Sequence, residues 1–396
     1  ILSFPTFFFS TILPAGAIFW IIRMWRRKRW EKTELYFPLL ILLIVASGFW
    51  GEEIGYGSAA WKAYNTYNQY RSDIYDYPDY TFPPYEESEE LYSEAGIDSK
   101  ARARTLMNYN YTADDQITPD FFKQYIQIHK EIYPSAQSRA EKILDSTKIY
   151  IKGLMIVRFH MFQSGGMFLL AVFLIVSSLK KYWSQVAELL ALIGIQMVLW
   201  TYLLYRGRVP ERVIYSMNLL LVVIVVLVFR EISVFLNQNQ LKKIWYKGMT
   251  AIIFLLIFIG VIYGKKIRGQ NLEIYDRNKS VEELKEYCIE HPENFYFNDV
   301  TTLAFTTWNV KLWRNETYTM NYMSLGDWMS FSPLWKEKLE QQGITSVREA
   351  LYQRDNVYLI CTFDKGLEYL TSLYENTTCT EVDRMGLFHI YKLQSL

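Results

Sequence analysis

"YNTYNQYRSDIYDYPDYTFPPYEESEELY", residues 64–92, holds eight tyrosines, seven carboxylates and one arginine. It lies between stretches apolar enough to sit in a bilayer, so its reading decides the architecture. A soluble body would not be flanked this way, whereas a membrane protein with a folded insertion would. From Ser58 to Tyr77 no Pro or Gly interrupts the chain. Tyr64, Asn68, Arg71 and Tyr75 recur at spacings of three and four, which predicts one face of a helix. Pro78, Pro83 and Pro84 then end it.

Working outward, six stretches reach or approach the roughly 20 apolar residues that a helix needs to cross a bilayer. They lie near residues 4–23, 36–50, 161–179, 185–205, 213–230 and 248–264. Runs such as "VIYSMNLLLVVIVVLVF" are apolar on every face, unlike a soluble amphipathic helix. The expectation is a mainly α-helical polytopic membrane protein with about six spans, a helical extracytoplasmic insertion and a small C-terminal α/β extracytoplasmic domain. Residues 1–50 would hold two spans, 51–148 the insertion, 149–264 an interfacial helix and four spans, and 265–396 the final domain. The chain starts in "ILSFPTFFFSTILPAG", with its basic cluster after the apolar run, the reverse of a signal peptide. That order predicts further spans upstream.

Orientation follows from Lys and Arg beside the spans. The dense "RMWRRKRWEK" run after the first span places residues 51–148 and 265–396 outside the cytoplasm. With a net charge of only +1, no long-range field argues for a nucleic-acid partner. The lipid bilayer is the partner that composition names.

Within the insertion, "TPDFFKQYIQIHKEIY" predicts a helix with Thr118 as N-cap and Pro119 at its first position. "KIYIKGLMIVRFHMFQSGG" predicts an interfacial helix that leads into the third span, with Arg158 and His160 near the membrane surface. In the C-terminal segment "SVEELKEYCIEHP" and "GLEYLTSLYE" read as helices. "NFYFND", "NVYLICTF" and "GLFHIYKL" read as strands, and the alternation predicts a sheet covered by helices. Cys288, Cys361 and Cys379 lack metal-site or redox spacing. One disulfide among them and three small buried hydrophobes are the alternatives.

"AYNTYNQYRSDIYDYPDYTFPPYEE", "AGIDSKARARTLMNYNYTADDQITPDFFKQY" and "LGDWMSFSPLWKEKLEQQGITSVREALYQRDNVYLI" resemble segments of uncharacterised polytopic membrane proteins of anaerobic Gram-positive bacteria. Those proteins look like distant relatives of GT-C-type glycosyltransferases, which use polyprenyl-phosphate-linked sugars at the outer membrane face. The resemblance covers about half the chain. It implies a protein of the bacterial plasma membrane with a polyprenyl-phosphate sugar donor and a glycan acceptor. The catalytic acid of such enzymes usually stands in the first outer loop, which would precede this chain if upstream spans exist.

That chemistry needs a carboxylate beside the membrane to deprotonate an acceptor. Glu52 and Glu53 follow the second stretch directly, and their plainer reading is two solvated carboxylates ending a span. It also needs cations for the lipid phosphate. Arg206, Arg208 and Arg212 in "YRGRVPERV", with Arg158, are candidates because arginine binds phosphate bidentately. Head-group anchoring is the alternative. Tyr64, Arg71, Tyr75 and Trp328 are candidates for stacking on and hydrogen-bonding a glycan, against a plain packing role. No motif names a cofactor or a metal. A non-catalytic membrane scaffold that binds a glycan or protein is the competing reading. A transporter ranks below both, since the apolar runs carry few ionisable groups.

Overall fold

The computed structural model describes residues 32–134, 137–155, 161–210, 279–300, 321–362 and 367–395, with Ile21, Thr302 and scattered positions between 213 and 275. The chain divides into two compact units, Ile1–Gly57 with Ser135–Ile252, and Ser58–Pro134 with Ile253–Leu396.

In the first unit the helix Lys32–Tyr56 carries "YFPLLILLIVASGFW" and continues through Glu52 and Glu53. Apolar side chains point outward over most of its circumference: Leu39, Leu40, Leu43 and Phe49 are each more than half exposed, while Ile41 is buried. A helix of this kind is stable only in apolar surroundings. It ends at Gly57, where a Cβ would meet the Glu53 carbonyl oxygen at 2.2 Å, so only glycine can occupy the exit.

Of three further helices, Arg139–Met155, Met161–Leu179 and Trp183–Tyr205, the last packs against both of the others. Tyr150 stacks on Trp200 with centroids 5.9 Å apart, and the Gln163 amide donates to the Tyr150 hydroxyl at 3.1 Å. Leu170, Phe173, Leu189 and Leu221 form a second apolar contact.

The expectation of about six spans is corrected by this structure. Among the described residues two helices are long and apolar enough to cross a membrane, Pro38–Tyr56 and Trp183–Tyr205. Only 6% of the first is buried, against 28% of the second, so the first has the fewer protein neighbours. The stretch expected at 161–179 is the helix Met161–Leu179, whose described apolar part, Gln163–Leu179, is shorter than a span. The stretches near 4–23, 213–230 and 248–264 lie wholly or largely outside the described residues.

The second unit joins the insertion to the C-terminal segment. Its sheet has the order β2-β1-β3-β5-β4, with β1 Phe295–Asn298, β2 Tyr322–Ser324, β3 Val357–Cys361, β4 Thr377–Met385 and β5 Phe388–Ser395. β1 runs parallel to β2 and β3, while β5 is antiparallel to both β3 and β4. The alternation of strand side chains sorts the core into two layers. Phe295, Phe297, Val357, Leu359, Cys361, Tyr391 and Leu393 face one way, onto Leu339, Leu351 and Leu370. Tyr296, Ile360, Phe388 and Ile390 face the other way, onto Val281, Leu284 and Cys288 of the helix through 279–290. Both central strands are therefore covered on two sides, which is why they read as unbroken apolar runs. The cysteines are free. Cys288 and Cys361 lie in layers on opposite faces of the sheet, and burial pushes the Cys288 thiol up to about 12.

The insertion is mostly helical, with Ala59–Tyr75, Glu89–Glu94, Lys100–Met107 and Pro119–Ile132. Ser58 caps the first, its hydroxyl accepting from the Trp61 amide. Thr118 precedes the last as N-cap without a side-chain bond. Tyr64, Tyr67, Arg71 and Ile74 are its first helix's buried positions, against Phe122, Tyr125 and Ile126 of the last.

The insertion does not fold apart from the C-terminal segment. Ala101 and Ala113 belong to the same apolar layer as Phe297 and Leu351. The Thr112 amide donates to the Leu325 carbonyl at 3.0 Å, and the Tyr111 hydroxyl to the Asp327 carbonyl at 2.7 Å. The Val300 amide donates to the Asn110 side-chain oxygen at 2.9 Å, and the Tyr374 hydroxyl to the Ala113 carbonyl at 3.1 Å.

This junction generates a first prediction. A Cβ on Gly326 would stand 1.7 Å from the Tyr109 carbonyl oxygen, and backbone on both sides leaves no cheap relief. Gly326→Ala should destabilise the second unit by about 3 kcal/mol or more, read as a lower denaturation midpoint. An unchanged midpoint would mean that residues 109 and 326 do not meet.

Candidate functional site

Tyr64, Arg71 and Tyr75 lie in the interior of the second unit. Tyr64 is 8% exposed, and its hydroxyl donates to the Trp328 carbonyl. Tyr75 stacks on Tyr109 with centroids 3.8 Å apart, and its hydroxyl donates to the Leu106 carbonyl at 2.7 Å. Faces that would take a sugar ring are thus occupied by protein rings. Arg71 is 5% exposed, with Asp76 at 3.5 Å and its Nε donating to Asn68 at 2.8 Å. A buried guanidinium needs such partners, since an unpaired one would cost several kcal/mol. Of the four glycan candidates Trp328 keeps an exposed ring, at 39%.

The Arg71 charge also acts on Asp327. Burial pushes that carboxyl up, while the Met329 and Ser330 amides, at 2.5 and 3.0 Å, and Arg71 pull it back. The acid thereby braces the loop 325–332 from within, and the Tyr64 hydroxyl on the Trp328 carbonyl ties that loop to the tyrosine helix. Lys338 lies near it and donates to the Tyr322 carbonyl, and burial pushes its ammonium down to about 8.

Glu52 and Glu53 stand in the last turns of the exposed helix, Glu52 partly buried and Glu53 exposed. Arg206 is the C-cap of Trp183–Tyr205, its amide bonded to the Tyr202 carbonyl at 2.9 Å, and Gly207 turns the chain with φ +70°. Arg206 and Arg208 are partly buried. Arg158, His160 and Arg212 lie outside the described residues. No group of three or more metal-ligating side chains occurs among the described residues.

The second unit contains a cavity that the sequence did not announce. It has a volume of about 590 Å³, within the roughly 300–1,000 Å³ of small-ligand sites, and opens to solvent. Phe331 and Trp335 line it from one side, and Asp114, Asp115 and Thr118 from the other, with Lys336, Glu340 and Ser346 also in its walls. Ser332 and Ser346 cap the helices Pro333–Gln341 and Val347–Gln353, which fixes both walls. Ser346 also donates to Asp115 at 2.9 Å, tying one wall to the other.

Phe331 has φ +64°. A bulky residue in the left-handed region costs of the order of 1–3 kcal/mol and persists only where its surroundings hold it. Here the Tyr67 ring at 5.3 Å, Tyr111 at 6.0 Å and Trp335 at 5.3 Å do so. The tyrosine helix therefore supports the cavity from behind. Asp114 is 2% exposed; its Oδ2 faces Arg102 Nε at 3.2 Å without accepting a hydrogen bond. Burial raises its carboxyl, and the Gln116 amide and Arg102 counter this.

Comparison with family models, curated proteins and solved structures finds no match, so the chemistry of the site rests on its residues.

The Lys338 environment predicts a pH dependence. Its folded pKa lies below the ordinary lysine value, so the unfolded chain binds more protons between about pH 8 and 10. Stability from this group is present above the unfolded pKa and is lost as pH falls through about 8. Lys338→Met should flatten the rise in thermal midpoint of the intact protein between pH 8 and 10. An unchanged slope would place Lys338 in water.

Proposed function

We propose that the chain is a multi-pass protein of the bacterial plasma membrane, GT-C-like in character, which transfers or polymerises sugars from a polyprenyl-phosphate-linked donor onto an envelope glycan. The observation that supports this reading best is the helix Lys32–Tyr56. It has the length and outward apolar faces of a span, carries Glu52 and Glu53 in its final turns, and passes through Gly57 into a folded unit. A carboxylate at that position meets a lipid-linked donor where its phosphate would lie, and is placed to accept the acceptor's hydroxyl proton. Arg206 and Arg208, at the end of the second span-length helix, would take the diphosphate leaving group.

By itself the second unit offers a cavity with an aromatic wall and a polar rim. That favours a second reading, in which the chain is a membrane scaffold that binds a glycan without turning it over.

Glu52→Gln with Glu53→Gln, and separately Arg206→Gln with Arg208→Gln, should each reduce the envelope glycan at least tenfold at unchanged protein level. Normal glycan in both variants would overturn transfer and leave the scaffold.

A further inference from the structure

We infer that the cavity between residues 112–119 and 331–347 is a binding site for a neutral oligosaccharide, and would hold the acceptor glycan if the transfer reading above is right. The inference rests on four features of the cavity. Its size suits a short run of sugar rings. Two aromatic side chains, Phe331 and Trp335, form one wall, and Trp335 is only partly buried. Aromatic faces take the apolar C–H face of a pyranose, and that contact needs no charge on the ligand.

The opposite wall and rim are polar. Asp115, Thr118, Thr345, Lys336 and Glu340 all have exposed side chains around the opening. Carboxylates and hydroxyls accept and share the hydrogens of sugar hydroxyl groups. Two exposed carboxylates, Asp115 and Glu340, stand there against the single ammonium of Lys336, while the buried Asp114 is already paired with Arg102. That balance disfavours a phosphate or another anion and fits a neutral polyol. A purely apolar ligand would leave these polar groups without partners on binding.

The fourth feature is the backbone of Phe331. Its left-handed conformation is a cost that packing on Tyr67 and Tyr111 sustains, and strained residues of this type collect at binding sites. Ser346 bonded to Asp115, and the two serine caps, pre-organise the remaining walls. A rigid site of this kind spends little of its binding energy on ordering itself.

The test uses the full chain in lipid nanodiscs, titrated calorimetrically with chitohexaose, cellohexaose, maltohexaose and mannohexaose, and with a neutral hexapeptide. At least one hexasaccharide should bind in the micromolar to millimolar range. Thr345→Trp fills the opening from an exposed position and should weaken that binding at least tenfold with the thermal midpoint unchanged. Trp335→Ala should also weaken it, at a lower thermal midpoint because that ring packs on the core and on Phe331, and Trp335→Phe should recover part of the binding. Leu387→Ala, exposed and outside the cavity, should bind as the parent does. Binding of no hexasaccharide, equal binding by Thr345→Trp, or binding of the hexapeptide alone would overturn the assignment. Since binding is read without turnover, loss of transfer in the Glu52 and Glu53 variants with intact binding would separate the two proposals.

Discussion

The second unit depends on one crossing of the chain. Residues 109–113 lie against residues 325–327, more than 200 positions away, and backbone groups carry the contact. Thr112 donates to Leu325, and Tyr111 reaches the Asp327 carbonyl. Gly326 is the residue that admits the Tyr109 carbonyl. Each hydrogen bond contributes only about 1 kcal/mol net, but leaving these buried groups unmade would cost more than that. Everything else in the unit follows from closure here: the shared apolar layer, the loop 325–332 and the wall that carries Phe331 and Trp335.

This crossing explains why the fold was only partly legible. Elements whose cause is local were plain in the sequence. The uninterrupted segment from Ser58 to Tyr77 gives the helix Ala59–Tyr75, Pro119 starts the helix that ends at Ile132, and "NVYLIC" is β3. β2 has three residues and β4 is exposed along most of its length, so neither has a pattern to read. Most of all, hydrophobic period reports which face is buried and not what buries it. The insertion and the C-terminal segment each showed a buried face, and nothing in either named the other. Counting apolar runs likewise overstated the spans: among the described residues two helices are long and apolar enough to cross a membrane.

The site divides in the same way. The helical face of Tyr64, Arg71 and Tyr75 was correct as geometry, yet the burial it implied leaves those side chains inside the protein, where they hold Phe331 and the Asp327 loop. Their contribution to a ligand site is indirect. Trp335 and Asp115 have no shared local signal, being 220 residues apart, and their meeting in one cavity is a product of the fold. A positive φ at a phenylalanine leaves no mark in the sequence either. Glu52 and Glu53 were legible as an acidic pair after an apolar run, and the helix that carries them extends one stage further than the run does.

Amide hydrogen exchange of the intact protein tests the crossing most directly. The Thr112 amide, bonded to Leu325, should exchange as slowly as the β3 amides of Leu359 and Ile360, through opening of the whole unit. Exchange at Thr112 that is orders of magnitude faster, with β3 still protected, would show that the insertion folds apart from the C-terminal segment and would contradict the account.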